Sequence, residues 1–254
     1  MVVVDGATDK KGNTFKGKTG GRYIRDLIID IFKRIPASLD KEGILREVEG
    51  RIKSHYKERG WEKELEEDKL RRPTASMVVY SKKFNEVWVY GDCVVLEVKE
   101  NGDTEQHDNG KKIDNITSEA RKIVIQAELS KGKTVEDIKN RDVGREVTQP
   151  ILELQQIFQN NYDFESDMNY SNIDGFGFRS EDIKTVRIGE DVKELVFSTD
   201  GYTVLKGTLE ETEEMLKGQL ERDPLCVGEL LSTKGLEEGN YSYDDRTYVR
   251  FKIK

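Results

Sequence analysis

The chain has 254 residues, 42 of them Lys or Arg and 50 Asp or Glu, for a formal net charge of −8 and a pI of about 5.2. That balance repels a phosphate backbone and argues against general nucleic-acid binding. The apolar runs fall far short of the roughly 18 residues needed to cross a bilayer, Met1–Val4 meets Asp5 at once rather than opening a signal peptide, and Cys93 and Cys226 have no local pairing pattern, so the expectation is a soluble, cytoplasmic protein with no membrane partner.

Taken in order, Met1–Val4 reads as a buried strand that meets a turn at Asp5-Gly6, followed by a Lys/Gly/Thr-rich loop over 9–21. Ile24, Leu27, Ile28, Ile31, Phe32 and Ile35 mark one face of a helix stopped before Pro36. A second helix opens after Ser38 or Asp40, with Ile44, Val48, Ile52 and Tyr56 on its apolar face. Residues 61–73 read as a charged loop. Ala75–Tyr80 and Glu86–Val98 read as two strands of a hairpin, and 99–116 as polar coil with Asn-Gly turns. Helices are predicted over about 117–131 and 134–160, with Pro150 a possible break, and 161–180 reads as a mobile loop. Val192–Ser198 is the clearest late strand. Thr208-Leu209-Glu210-Glu211 reads as a capping box, and 247–253 as a closing strand. Strands grouped in hairpins and helices in pairs argue an α+β fold rather than a βαβ repeat.

Two constellations carry chemistry. The first is three acidic turns at strand ends, Asp5-Gly6, Asp200-Gly201 and Asp244-Asp245, with a fourth, Gly91-Asp92, within the hairpin region. If such carboxylates converge, each pair at about 4 Å costs roughly 4 kcal/mol at an effective dielectric of about 20. Three pairs would approach the roughly 5–15 kcal/mol stability of a whole domain. Hard divalent cations would cancel that cost, so convergence implies Mg or Mn; Asp-Gly also simply marks turns. The second is a formal Walker A match, Gly12–Thr19, in which Lys18 would reach terminal phosphates and Thr19 a magnesium. Seven residues separate it from the preceding strand and no further βα units follow, which fits a P-loop poorly. Lys18 and Arg22 also flank a helix N-terminus, where an anion would bind. His55 and His107 make no zinc spacing with the cysteines.

Read together, these fragments resemble the metal-dependent type 2C protein phosphatases. Val2–Thr8 is similar to the family's first metal-binding strand and Asp-Gly turn, and Gly20-Gly21 to the glycines entering the next helix. Ala75–Val79 and Val89-Tyr90-Gly91-Asp92-Cys93 resemble its small-residue strand and Gly-Asp-Ser turn. Leu195–Tyr202 resembles its Ala-Ser-Asp-Gly motif, and Ser242–Thr247 its terminal Asp-Asn-x-Thr motif. The resemblance implies a single domain over 1–254, built as a four-layer α/β/β/α sandwich of two antiparallel sheets flanked by helix pairs, with a variable flap at about 99–180. It implies two Mg or Mn ions, with Asp5 bridging them, Gly6 offering its carbonyl, Asp200 and Asp244 completing one shell, and Asp92 at a looser third site. It implies hydrolysis of phosphoserine, phosphothreonine or small phosphoesters by a metal-bound water, with Asp5, Asp200 and Asp244 as the catalytic set.

The chain departs from the family at four places. The family's phosphate-gripping Arg lies on a strand before its Asp-Gly turn, which the matched residues do not include. Either that strand lies outside this sequence, or Lys18, Arg22 or Lys234 takes its place. Ala7 stands where many members have His, Val204 where full third sites have Asp, and Asp245 where the last motif has Asn. These departures keep open a pseudophosphatase acting as a binding module, and the Walker A match keeps open a P-loop nucleotide hydrolase.

Overall fold

The architecture follows from central strands that are buried on both faces, so each of two sheets packs against the other on one side and is covered by further chain on its opposite side. In the computed structural model, which describes residues 1–7 and 11–253, the chain opens with β1 (Val2–Ala7) and the small hairpin β2 (Thr14–Phe15) and β3 (Lys18–Thr19). Thr8, the last residue of the first motif, and 9–10 of the predicted loop lie outside the described residues. The helices α1 (Gly20–Phe32), α2 (Lys41–Glu58) and α3 (Glu62–Glu67) follow, then β4 (Thr74–Ser81), β5 (Glu86–Tyr90), β6 (Val94–Lys99) and β7 (Thr104–His107). Next come α4 (Lys112–Ser130), α5 (Val135–Asn140), α6 (Val143–Phe158), β8 (Lys184–Arg187), β9 (Val192–Ser198), α7 (Leu209–Arg222) and β10 (Tyr248–Lys252).

Two four-stranded antiparallel sheets form, in the orders β1-β4-β5-β8 and β10-β9-β6-β7. Val3, Val78, Val87 and Val89 of the first sheet pack against Val95, Leu195 and Phe197 of the second, so the sheets share one apolar layer. The opposite face of the first sheet (Met77, Val79, Trp88, Tyr90) is covered by Ile24 and Ile28 of α1 and Val48 and Ile52 of α2. The opposite face of the second (Val94, Leu96, Val98, Val196) is covered by Leu216 and Leu220 of α7 and by Tyr202, Leu205 and Leu230. The result is a layered α/β/β/α sandwich in which one outer layer is the α1/α2 pair, and the other is α7 with irregular chain. The pair α4/α6 packs on itself and contributes residues to the cavity described below.

Several sequence expectations change. Glu86–Val98 is two strands in different sheets, because the chain crosses over at Gly91–Cys93. The long helix over 134–160 is interrupted at Arg141-Asp142 rather than at Pro150, which sits inside α6. Thr208 caps α7, accepting from Glu211 N at 3.2 Å; the reciprocal capping box is at Thr134 and Asp137. Residues 161–180 are no loose loop: Ile173 exchanges both backbone hydrogen bonds with Ala75, each 2.9 Å, and Asn172 and Asp174 are buried.

Candidate metal centre

β1 directs Val3 and Asp5 to the same side, because side chains alternate along a strand. Val3 enters the layer between the sheets, so Asp5 lies at its end. Asp5 is in register with Ser76 of β4. Ser76 Oγ donates to Asp92 Oδ1 in a short hydrogen bond and accepts from Asp92 N at 3.3 Å. Gly91 makes that crossing possible: its φ is +94°, and a Cβ there would sit 2.4 Å from Ser76 Oγ and 2.7 Å from Asn172 Oδ1. Asp200 follows β9, beside Thr199, whose Oγ1 accepts from Thr247 N at 2.9 Å. Asp244 precedes β10, and the neighbouring Tyr243 hydroxyl donates to the Asp200 carbonyl at 3.4 Å. β1, β5, β9 and β10 therefore deliver Asp5, Asp92, Asp200 and Asp244 to one end of the sandwich. All four line a single cavity of about 590 Å³ with Gly6, Lys111, Arg145 and Lys234.

The second glycine relationship fixes α1. A Cβ on Gly6 would lie 2.0 Å from the Gly21 carbonyl oxygen, and one on Gly21 would lie 2.2 Å from the Gly6 carbonyl oxygen. The helix start and the Asp-Gly turn meet backbone to backbone, which no side chain permits.

The electrostatics divide the four carboxylates into two kinds. Asp92 loses hydration, which pushes its pKa up. Lys111, whose Nζ lies 2.5 Å from Asp92 Oδ2, outweighs that and with the Ser76 hydrogen bond leaves Asp92 below the ordinary carboxylate range. Lys111 is itself enclosed, which lowers its pKa, but Asp92 and Asp114 hold it well above the usual lysine value. Asp244 Oδ1 is 2.5 Å from Lys234 Nζ and accepts from the amide of Asp245 at 2.8 Å. Asp5 and Asp200 have no ion pair among the described residues. Their carboxyls lie within hydrogen-bonding reach of each other. Burial, then the charges of Asp92 and Asp244, raise Asp5 to about 6. Asp200 keeps surface open to the cavity, yet lost hydration around its carboxyl, then Asp92, Asp5 and Asp244, lift it well above the ordinary range.

Among the predicted residues, the cavity gathers Asp5, Gly6, Asp92, Asp200, Asp244 and Lys234. Lys18 and Arg22 are not among the described residues lining it. Lys18 instead pairs with Asp26 of α1 at 2.7 Å. The Walker A match is corrected. Thr14–Phe15 and Lys18–Thr19 form a hairpin turning at Lys16-Gly17, Phe15 is buried in the core, and Thr19 Oγ1 caps α1 by accepting from Arg22 N. That backbone is spent on strand pairing and has no phosphate cradle. His55 bonds the Tyr23 hydroxyl at 2.6 Å, and Cys93 is core. Sequence reasoning missed Lys111 and Arg145; each sits in a charged stretch with nothing local to single it out.

No family model matches the sequence, and no curated protein matches it. Among solved structures, the chain is similar to the serine/threonine phosphatase PstP/Ppp of Mycobacterium tuberculosis, at 12% identity over 93% of this chain and 83% of that one, with a TM-score of 0.38. It is similar to the serine/threonine phosphatase Stp1 of Staphylococcus aureus, at 13% identity over 87% and 77%, with a TM-score of 0.38. It is also similar to a Stage II Sporulation E family protein from Thermanaerovibrio acidaminovorans, at 13% identity over 86% of each chain, with a TM-score of 0.40.

Proposed function

We propose that this chain is a metal-dependent phosphatase of the type 2C kind, acting on phosphoserine, phosphothreonine or small phosphoesters. The observation that carries the reading is the meeting of four carboxylates in one cavity where two of them, Asp5 and Asp200, have no ammonium or guanidinium partner among the described residues. Their donor set is all hard oxygen, which fits Mg or Mn, and the burial and mutual repulsion that raise Asp5 and Asp200 are costs a bound cation would offset. Asp5, the Gly6 carbonyl, Asp200 and Asp244 would hold two ions, with Asp92 at the margin. When bound, those ions would neutralise phosphate charge and activate water.

The protein's own groups do the rest. Ser76 and Lys111 keep Asp92 oriented, and the Gly6–Gly21 contact holds the Asp5 turn against α1. Arg145 of α6, whose Nη1 donates to the Thr233 carbonyl at 2.9 Å, and Lys234 are the cations facing the cavity from its helical side and its C-terminal loop. Arg145 presents the forked donor that matches phosphate oxygens, and we assign it the phosphate-gripping role. The flap role of 99–180 belongs to the same proposal, since α4 and α6 contribute Asp114 and Gln155 to the cavity.

The test is hydrolysis of p-nitrophenyl phosphate with Mn, with Mg and with EDTA, beside Asp200→Asn. Metal-dependent turnover lost in the variant supports the reading, and turnover indifferent to EDTA contradicts it. A second reading, a binding module that holds metal without turnover, is favoured by one observation: Lys111 and Lys234 already occupy Asp92 and Asp244. It predicts metal uptake with no hydrolysis.

A further inference from the structure

A second cluster of metal-ligating side chains lies on the β6–β7 hairpin, apart from the residues that line the carboxylate cavity. Glu97 of β6 stands directly opposite Glu105 of β7, and His107 opposite Val95. By strand alternation all three cluster residues project on the side that carries Val95, toward the layer between the sheets. Like charges directly opposite destabilise an antiparallel pair, and a carboxylate taken out of water needs a partner. Glu97 is only 6% exposed, yet its Oε1 has no hydrogen-bond partner, and neither has the enclosed Nε2 of His107. These two atoms are 3.8 Å apart, and one ligand atom from each of Glu97, Glu105 and His107 lies within 4.8 Å of the others. The nearest compensation is Lys99 Nζ, 3.4 Å from Glu105 Oε2 and 4.0 Å from Asp191.

We infer that Glu97, Glu105 and His107 form a binding site for a borderline divalent transition metal of the zinc type, independent of the carboxylate cavity and of the activity proposed for it. Two carboxylates and a neutral imidazole carry a charge of −2, which one such ion cancels. One nitrogen and two oxygens suit zinc, cobalt or nickel better than magnesium. Zinc binds such donors at about 2.0–2.2 Å, so the donors must draw together. Glu105 is exposed and can turn inward by a rotamer change while Lys99 passes to Asp191. Three protein ligands leave a fourth position for water. The ion would pin a short edge strand whose next residue, Gln106, holds the chain after Asp200. Its Nε2 donates to the Thr203 carbonyl at 3.2 Å, and its Oε1 accepts from Leu205 N at 2.9 Å.

The experiment is calorimetric titration of zinc chloride into the full chain carrying Asp5→Asn and Asp200→Asn, which weakens the other site. One equivalent is expected to bind, His107 Nε2 to shift in its nitrogen NMR resonance, and both effects to be absent with magnesium. His107→Gln should weaken uptake by about 100-fold and the surface change Glu105→Gln by about 10-fold or more. If no saturable zinc uptake occurs, or if both variants bind as the parent does, the inference is overturned and Glu97–His107 is a plain ion pair.

Discussion

Lys111 places its ammonium 2.5 Å from Asp92 Oδ2, with both side chains largely enclosed. The protein thus supplies from its own chain a positive charge at the edge of a cavity built from carboxylates. Tyr170, whose ring lies 5.0 Å from Lys111 Nζ, backs it. Removing one partner of such a pair strands the other charge, at about 3–5 kcal/mol. Lys111→Met is therefore expected to lower the melting temperature of metal-free protein by about 10 °C. Added Mn should recover more of that loss than it adds to the parent, because an ion can take the ammonium's place. Equal shifts in both proteins would place Asp92 outside the reach of any metal.

The glycine pair gives a sharper steric test. Gly21→Ala puts a methyl 2.2 Å from the Gly6 carbonyl oxygen, so α1 must move away from the Asp5 turn, at about 1–3 kcal/mol or more. Gly50→Ala, on an exposed turn of α2 with nothing within 4 Å, should instead stabilise by up to about 1 kcal/mol through helix propensity. Chemical denaturation of the two variants measures the opposite signs. Mn affinity should fall only in Gly21→Ala, which displaces the Gly6 carbonyl.

The segment behind the cavity is expected to respond to pH through Glu49. Glu49 of α2 accepts from Asp174 N at 3.2 Å and from Gly177 N at 3.1 Å. Burial, then the nearby Asp174, push it up to about 8. A carboxyl raised in the fold is favoured protonated. Its stabilising contribution is complete below its ordinary value of about 4.5 and is lost as pH climbs toward 8. Gln reproduces the neutral carboxyl, so Glu49→Gln should melt close to the parent near pH 5 and above it by pH 8.5, where the parent has lost that contribution. A difference that stays constant with pH would contradict this.

Arg145 is expected to act on substrate rather than on metal. Arg145→Ala should raise KM for p-nitrophenyl phosphate by about 10-fold or more, the worth of a charge-assisted hydrogen bond, while Mn affinity stays within about two-fold. Arg145→Lys should restore little, since a point charge cannot reproduce the fork. Steady-state kinetics beside a Mn titration separates these outcomes.

The legible parts of this molecule were those in which local sequence and tertiary placement agree. Val192–Ser198 is buried on both faces and reads as a strand for that reason. The helix face from Ile24 to Phe32 is the face that meets the first sheet, and Asp5, Asp92, Asp200 and Asp244 do share one cavity. The strands β7 and β8, Thr-Glu-Gln-His and Lys-Thr-Val-Arg, were invisible because these short, mostly polar edge strands carry no apolar alternation. Glu86–Val98 merged into one strand because both halves are apolar and buried, so only the backbone at Gly91 records the crossing. Residues 161–180 read as mobile because they are polar. Their polar groups are instead paired internally: Asn160 donates to the Asn172 carbonyl at 2.8 Å and Gln159 to Asp174 at 3.0 Å. Lys111 was missed because its partner lies 19 positions away across a turn, beyond the reach of any local pattern.

The most direct test of the central claim is a count of metal ions. Titrating Mn into the full chain, with free Mn followed by electron paramagnetic resonance, should give two equivalents bound, falling to one or none in Asp5→Asn. Such a result would establish the carboxylate cavity as a two-ion centre whether or not turnover follows. A protein that binds no Mn at millimolar concentration, or an Asp5→Asn variant that still binds two, would contradict the account at its root.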